Sequence, residues 1–161
     1  MRTELTKRAD YAIRAMLSLA GSDEAGPHSV RRIAAEMGIP AHFLPQVMTD
    51  LGRAGLVRAE AGRNGGYRLA RAAAEIDLLE VIEAVGADGR RRQCVLRGGP
   101  CDPAGECAVH DVFVTAERAL RETLAAADLA TIAAGRRPQV GDRLERTAAS
   151  ATSQPATTVS P

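Results

Sequence analysis

Apolar residues near the start of the chain recur at Ile13, Met16, Leu17 and Ala20, the i, i+3, i+4, i+7 spacing of one helical face. Thr6 stands where an N-cap is needed, so a helix is predicted over 6–20. The stretch 21–27 holds Gly, Ser, Asp and Pro and reads as a loop. Ser29 can cap a second helix on which Val30, Ile33, Ala34 and Met37 share a face, and Gly38-Ile39-Pro40 ends it. A third amphipathic segment, about 41–54, places Leu44, Val47, Met48 and Leu51 on its apolar side and closes at Gly55. Pro45 falls inside this segment. A proline is accepted without bending only in a first turn, so either the helix starts late or it bends there.

The period then shortens. Leu56-Val57-Arg58 and Tyr67-Arg68-Leu69 alternate apolar with polar, and Gly62-Arg63-Asn64-Gly65-Gly66 lies between them with an Asn-Gly hairpin signal. Two short strands with a glycine-rich tip are predicted. Asp77 can cap a fourth helix carrying Leu78, Val81, Ile82 and Val85. Residues 86–106 hold five glycines and two prolines and are predicted to be irregular, which at this length points to function or disorder. The helical period returns over 108–126 with Val109, Val112, Phe113, Ala116, Leu120 and Leu124. Asp128 can cap a last short helix, 129–134, and the Thr-, Ser-, Ala- and Pro-rich remainder, 135–161, reads as a disordered tail. The chain is therefore predicted to be mainly α with a small β wing.

Composition narrows the picture modestly. A chain of 161 residues suits one compact domain, or one with a short appendage. No apolar run approaches the roughly 18 residues of a membrane span. Arg8, Asp10 and Arg14 interrupt any signal-peptide core, so a cytoplasmic location is expected. The 21 basic residues nearly balance the 20 acidic ones, and bulk charge therefore does not announce a nucleic-acid partner. Distribution matters more, because the first 75 residues are net basic.

A short helix, a glycine-containing turn and a longer helix make a helix-turn-helix, whose second helix enters the major groove by its N-terminal end. The candidates on that helix are His42, Gln46, Thr49, Asp50 and Arg53. Gln46 is the best base reader, because its amide can pair in a bidentate way with adenine. The wing carries Arg58, Arg63 and Arg68, and Arg63 at the tip suits a narrow, electronegative minor groove. Arg31 and Arg32 are expected on phosphates, which position without reading sequence. The bland alternative is an ordinary three-helix core with a solvated basic face.

Cys94, Cys101 and Cys107 are separated by six and five residues, and His110 follows Cys107 by three. Thiolates ligate iron–sulfur clusters, and histidine can replace a cysteine and raise the potential. The same set could bind zinc as three sulfurs and one nitrogen, although structural zinc sites favour closer pairs. A redox disulfide is a further option. Cys107, His110 and Asp111 share a helical spacing open to a thiol nucleophile with a base, but no oxyanion-hole motif accompanies them, and no enzyme is expected. Arg90-Arg91-Arg92 reads either as a solvated charge run or as a counter-charge to thiolate-bound iron or to DNA.

Four segments together carry a family resemblance: residues 5–16, Ala54-Gly55-Leu56-Val57, Gly62-Arg63-Asn64-Gly65-Gly66-Tyr67 and Ile76-Asp77-Leu78-Leu79-Glu80-Val81-Ile82. The chain resembles the Rrf2 family of bacterial winged-helix transcriptional regulators, with its IscR-, NsrR- and RirA-like branches, over about residues 1–134. The resemblance implies a homodimer joined by a long C-terminal dimerisation helix and an imperfect palindrome of double-stranded DNA as target. It implies three segments: a DNA-binding winged helix-turn-helix over 1–75, a helix, cluster loop and dimerisation helix over 76–134, and the tail. It also implies an iron–sulfur cluster on Cys94, Cys101 and Cys107 that controls DNA affinity in response to iron, redox state or nitric oxide. In 2Fe–2S members the position of His110 completes the site. In some 4Fe–4S members the position of Asp10 supplies a carboxylate from the partner subunit. A metal-free regulator with redox-active or structural thiols and a zinc-stabilised regulator are the competing expectations. Pro45 departs from the family pattern, in which a long polar residue often stands at this point.

Overall fold

The structure is a computed structural model, and it describes residues 5–21, 26–86 and 109–135. Helix α1 spans Lys7–Ala20, α2 Val30–Met37, α3 Leu44–Arg53, α4 Leu78–Val85, α5 His110–Ala125 and α6 Leu129–Ala133. Two antiparallel strands, β1 at Val57–Glu60 and β2 at Gly66–Leu69, follow α3, and a 3-10 turn at Ala73–Glu75 leads into α4.

Local chemistry starts most of the helices where the sequence indicates. The Thr6 hydroxyl accepts from the Ala9 N–H at 3.2 Å, and the Ser29 hydroxyl accepts from the Arg32 N–H at 3.2 Å. At α4, Asp77 accepts from the Glu80 N–H while Glu80 accepts from the Asp77 N–H, a reciprocal box that satisfies two backbone donors. Asp128 caps α6 through Thr131.

Two expectations change. The buried stripe of α1 is Ala9, Ala12, Ala15, Met16 and Leu19, whereas Ile13, Leu17 and Ala20 are only half-buried at its margin. Small side chains let neighbours approach closely, and α1 packs against α2, α3, α4 and α6. The bulky residues suggested a different face because periodicity alone cannot show how many neighbours a helix has. The second change concerns α3, which begins at Leu44 rather than near Ala41. Residues 40–43 form a turn closed by Phe43 N–H to Pro40 O at 3.0 Å. Pro45 thus sits in the first turn, where a missing N–H costs nothing.

The core joins Ile33 and Ile39 to Leu44, Val47, Met48 and Leu51 of α3, with Leu56, Ile76, Val81 and Leu129 around them. The C-terminal segment closes onto the first half of the molecule. Leu129 N–H bonds Ile76 O at 2.9 Å, Leu78 N–H bonds Ala127 O at 3.0 Å, and Leu129 is fully buried. By contrast, α5 has no buried residue, and Val112, Phe113 and Leu120 are 68%, 41% and 43% exposed.

Candidate nucleic-acid interface

Helix α2, the turn from Gly38 to Phe43, and helix α3 form the helix-turn-helix. The apolar positions of α3 are spent on the core, so only one polar stripe is free to face a ligand. Gln46, Thr49 and Arg53 lie exposed on it, with His42 exposed in the turn before it. The Thr49 hydroxyl donates to Pro45 O at 2.9 Å, which leaves its oxygen lone pairs available as acceptors. The His42 ring stands 4.1 Å from that of Phe43, whose other neighbour is Tyr11 at 5.8 Å. Phe43 is itself half exposed beside the N-terminal end of α3.

Asp50 behaves differently from its expected role as a free contact residue. It accepts from Gln46 Nε2 at 3.2 Å, pairs with Arg8 of α1, and lies 3.8 Å from Arg53 Nη1. Sequence reasoning did not single out Arg8, since it is 42 positions away.

Strands β1 and β2 pair Val57 with Leu69, Arg58 with Arg68, Ala59 with Tyr67 and Glu60 with Gly66. The loop between them is longer than a two-residue hairpin turn. It runs over residues 61–65 and turns by a bond from Gly65 N–H to Gly62 O at 3.0 Å. Gly62 takes φ +120°, while Asn64 keeps a negative φ, so the Asn-Gly pair does not form the mirror-image turn its composition suggests. The tip is thus centred on Arg63 and Asn64. Arg63 is exposed and makes no ion pair or hydrogen bond among the described residues.

The other cations divide by partner. Arg58 and Arg68 flank Glu60 at 3.8 and 3.1 Å, and Arg32 pairs with Glu36 at 2.7 Å. Arg31 is exposed with no ion pair among the described residues. Among the described residues, Arg31 and Arg63 are therefore the predicted contact arginines whose charge is not already offset.

One element of the wing was not legible in the sequence. The backbone of His28 pairs with Tyr67, N–H to O at 2.9 Å one way and 2.8 Å the other, an isolated bridge that ties the segment before α2 to the hairpin. Gly66 makes this approach possible, since a Cβ there would meet His28 O at 2.4 Å. The His28 side chain is buried, with Nδ1 3.5 Å from the Ser18 hydroxyl and 4.0 Å from Glu36. Ser18 gives its own proton to Glu36 at 2.9 Å, so His28 Nδ1–H is the donor to Ser18, and among the described residues the buried Nε2 has no partner. Burial and the nearby Arg32 charge push the imidazole pKa below its ordinary value; Glu36 opposes this and Arg68 adds to it. Hydrogen bonds from Arg32 and then Ser18 hold the Glu36 carboxyl below the usual carboxylate range.

Of the predicted cluster ligands, Cys94, Cys101 and Cys107 lie outside the described residues, as does Arg90-Arg91-Arg92. His110 is the first residue of α5. Asp10, in the first turn of α1, accepts from Arg14 Nε at 2.9 Å. Among the described residues no group of three or more His, Cys, Asp or Glu side chains is placed to hold a metal ion. No helix among them is long and apolar enough to cross a membrane.

A helix-turn-helix followed directly by a two-stranded wing defines a winged-helix regulator. A sequence profile of the Rrf2 family, described as an iron-dependent transcriptional regulator, matches residues 5–135. IscR of Escherichia coli, an HTH-type transcriptional regulator, is 37% identical over 109 residues, which is 68% of this chain and 67% of IscR. Rv1287 of Mycobacterium tuberculosis, also named as an HTH-type transcriptional regulator, is 31% identical over 135 residues, 84% of each chain. The structure of CymR, the global cysteine regulator of B. subtilis, superposes with a TM-score of 0.70 at 24% identity, over 84% of this chain and 100% of CymR, a likeness of fold. The chain belongs to the Rrf2 family and is a DNA-binding transcriptional regulator rather than an enzyme.

Proposed function

We propose that this regulator binds an imperfect palindrome as a homodimer and that an iron–sulfur cluster controls its DNA affinity. Residues 1–75 read DNA, residues 76–134 sense and dimerise, and the tail follows. Gln46 is the base reader, with His42, Thr49 and Arg53 beside it. Arg63 enters the minor groove, Arg31 and Arg32 take phosphates, and Arg58 and Arg68 support the wing. The observation that carries the DNA reading is the common exposure of the α3 polar stripe and of Arg63 at the wing tip, which has no ion pair among the described residues. The apolar, uncovered face of α5 supports the dimer.

Three thiols and an imidazole are a donor set that suits iron–sulfur ligation. Cys94, Cys101 and Cys107 would hold the cluster, with His110 or Asp10 as the fourth ligand. The bound cluster would supply a redox- and ligand-responsive centre. The chain's own part is to set the spacing of two reading heads, which must match a whole number of helical turns. A coupling on the order of 1–3 kcal/mol between the two functions would suffice. The family profile's iron-dependent description and the likeness to IscR support this reading.

The test is anaerobic purification with a visible spectrum and assays for iron, sulfide and zinc. Coloured protein with stoichiometric iron and acid-labile sulfide is expected. Colourless protein after anaerobic reconstitution sinks the cluster and leaves the DNA reading; zinc without sulfide replaces it with a structural metal.

A further inference from the structure

Asp50 is an odd residue to find on a helix that meets phosphates. Its carboxylate lies on α3 one turn after Gln46, yet its side chain is only 12% exposed, because neighbours from two helices close over it. Arg8 reaches it from α1, Arg53 stands at 3.8 Å from its own helix, and the Gln46 amide donates to it at 3.2 Å. A bare carboxylate here would repel the DNA backbone. The two guanidiniums offset that charge; Arg8 is engaged in doing so, while Arg53, 77% exposed at 3.8 Å, stays available beside Gln46.

The contact to Gln46 has a directional consequence. A carboxylate only accepts, so it settles which end of the Gln46 amide faces it: the nitrogen. One N–H is held, and the second N–H and Oε1 remain for a base edge. This donor–acceptor pair is what adenine requires. An unrestrained glutamine would turn its amide either way and lose side-chain entropy on binding.

We infer that Asp50 is a positioning residue that sets the base preference of Gln46, with Arg8 as its counter-charge, so that the reading head gives up general affinity for discrimination. This rests on the reading in which α3 enters the major groove. It makes opposite predictions for two quantities, and a residue that merely held α1 to α3 would not produce that pattern.

The experiment is selection from random-sequence duplexes with the full chain, alongside anisotropy titrations on a random duplex over a range of salt. Asp50→Asn, Asp50→Ala, Gln46→Ala and Arg8→Gln are compared with the parent, with circular dichroism to check folding. In Asp50→Asn the base preference at the position lost in Gln46→Ala falls roughly 3- to 10-fold, the scale of one polar contact. Its affinity for random duplex rises, and the salt slope steepens by about one phosphate contact as an arginine is released. Arg8→Gln moves random-duplex affinity the other way. Should Asp50→Ala fail to fold, the opposite signs of Asp50→Asn and Arg8→Gln still decide the matter. An unchanged base preference in a folded Asp50 variant overturns the inference, as does a fall in preference and random affinity together. A parent protein that binds no duplex at all overturns the major-groove reading as well, which separates the two failures.

Discussion

Helices α3 and α5 carry similar amounts of apolar side chain and treat it in opposite ways. On α3, Leu44, Val47, Met48 and Leu51 are all buried within the chain, and what remains outside is polar. On α5 nothing is buried, and Val112, Phe113 and Leu120 face outward. An exposed apolar stripe on a helix that packs on another side against α4 is a surface suited to a partner, since isolated helices of this length gain most of their stability from packing. Apolar periodicity thus marks a helix without saying which molecule covers it. On α3 the polar face holds the chemistry, and on α5 the apolar face does.

Substitutions separate the two cases. Leu51→Ala on α3 should cost about 2–5 kcal/mol of stability in denaturant unfolding, by lost transfer energy and a residual cavity. The double substitution Phe113→Asp with Leu120→Asp should leave the core intact and abolish the proposed dimer in sedimentation. Affinity for a palindromic duplex should then drop about 100-fold or more, as bivalent engagement is lost. If that protein instead stays dimeric, or loses stability as Leu51→Ala does, the contrast between the helices fails. Arg63→Ala should weaken binding across sequences and lower the salt slope by about one, without the loss of base preference expected for Gln46→Ala.

Acid should act on the joint between α2 and the wing. The folded state keeps His28 neutral, because burial depresses its pKa below that of the unfolded chain. Its contribution is therefore complete above the unfolded histidine value of about 6.5 and is lost as pH falls from there through the depressed folded value. Melting temperature should fall across that window, and His28→Gln should flatten the fall; an equal slope in both proteins would exclude His28 as its source. The smallest effect belongs to Pro45→Ala. Because Pro45 occupies the first turn of α3, its loss should cost under about 1 kcal/mol, mainly by freeing the unfolded chain. A gain approaching 3 kcal/mol would mean that the proline bends the helix after all.

The parts of this molecule that were legible beforehand rest on short-range chemistry. Thr6, Ser29, Asp77 and Asp128 cap their helices because each oxygen bonds an N–H three residues on, a matter of local geometry. The two wing strands and the α3 core face follow from apolar period in the same way, whereas the turn between the strands differs from the one Asn-Gly suggests. Four things waited on tertiary structure. The α1 stripe depends on how many helices surround it. The start of α3 depends on the turn at Pro40–Phe43, which decides whether Pro45 is harmless. The His28 bridge depends on a pairing with Tyr67 across the helix-turn-helix. The environment of Asp50 depends on Arg8, 42 residues away. The sequence by itself therefore determined the regulator's elements and its family, because those are encoded within a few residues of each cap, turn and apolar repeat. Only the tertiary structure decided which charges on the reading head are spent internally and which stay free. Coulomb and hydrogen-bond partners are chosen by distance in space, and distance along the chain does not report it.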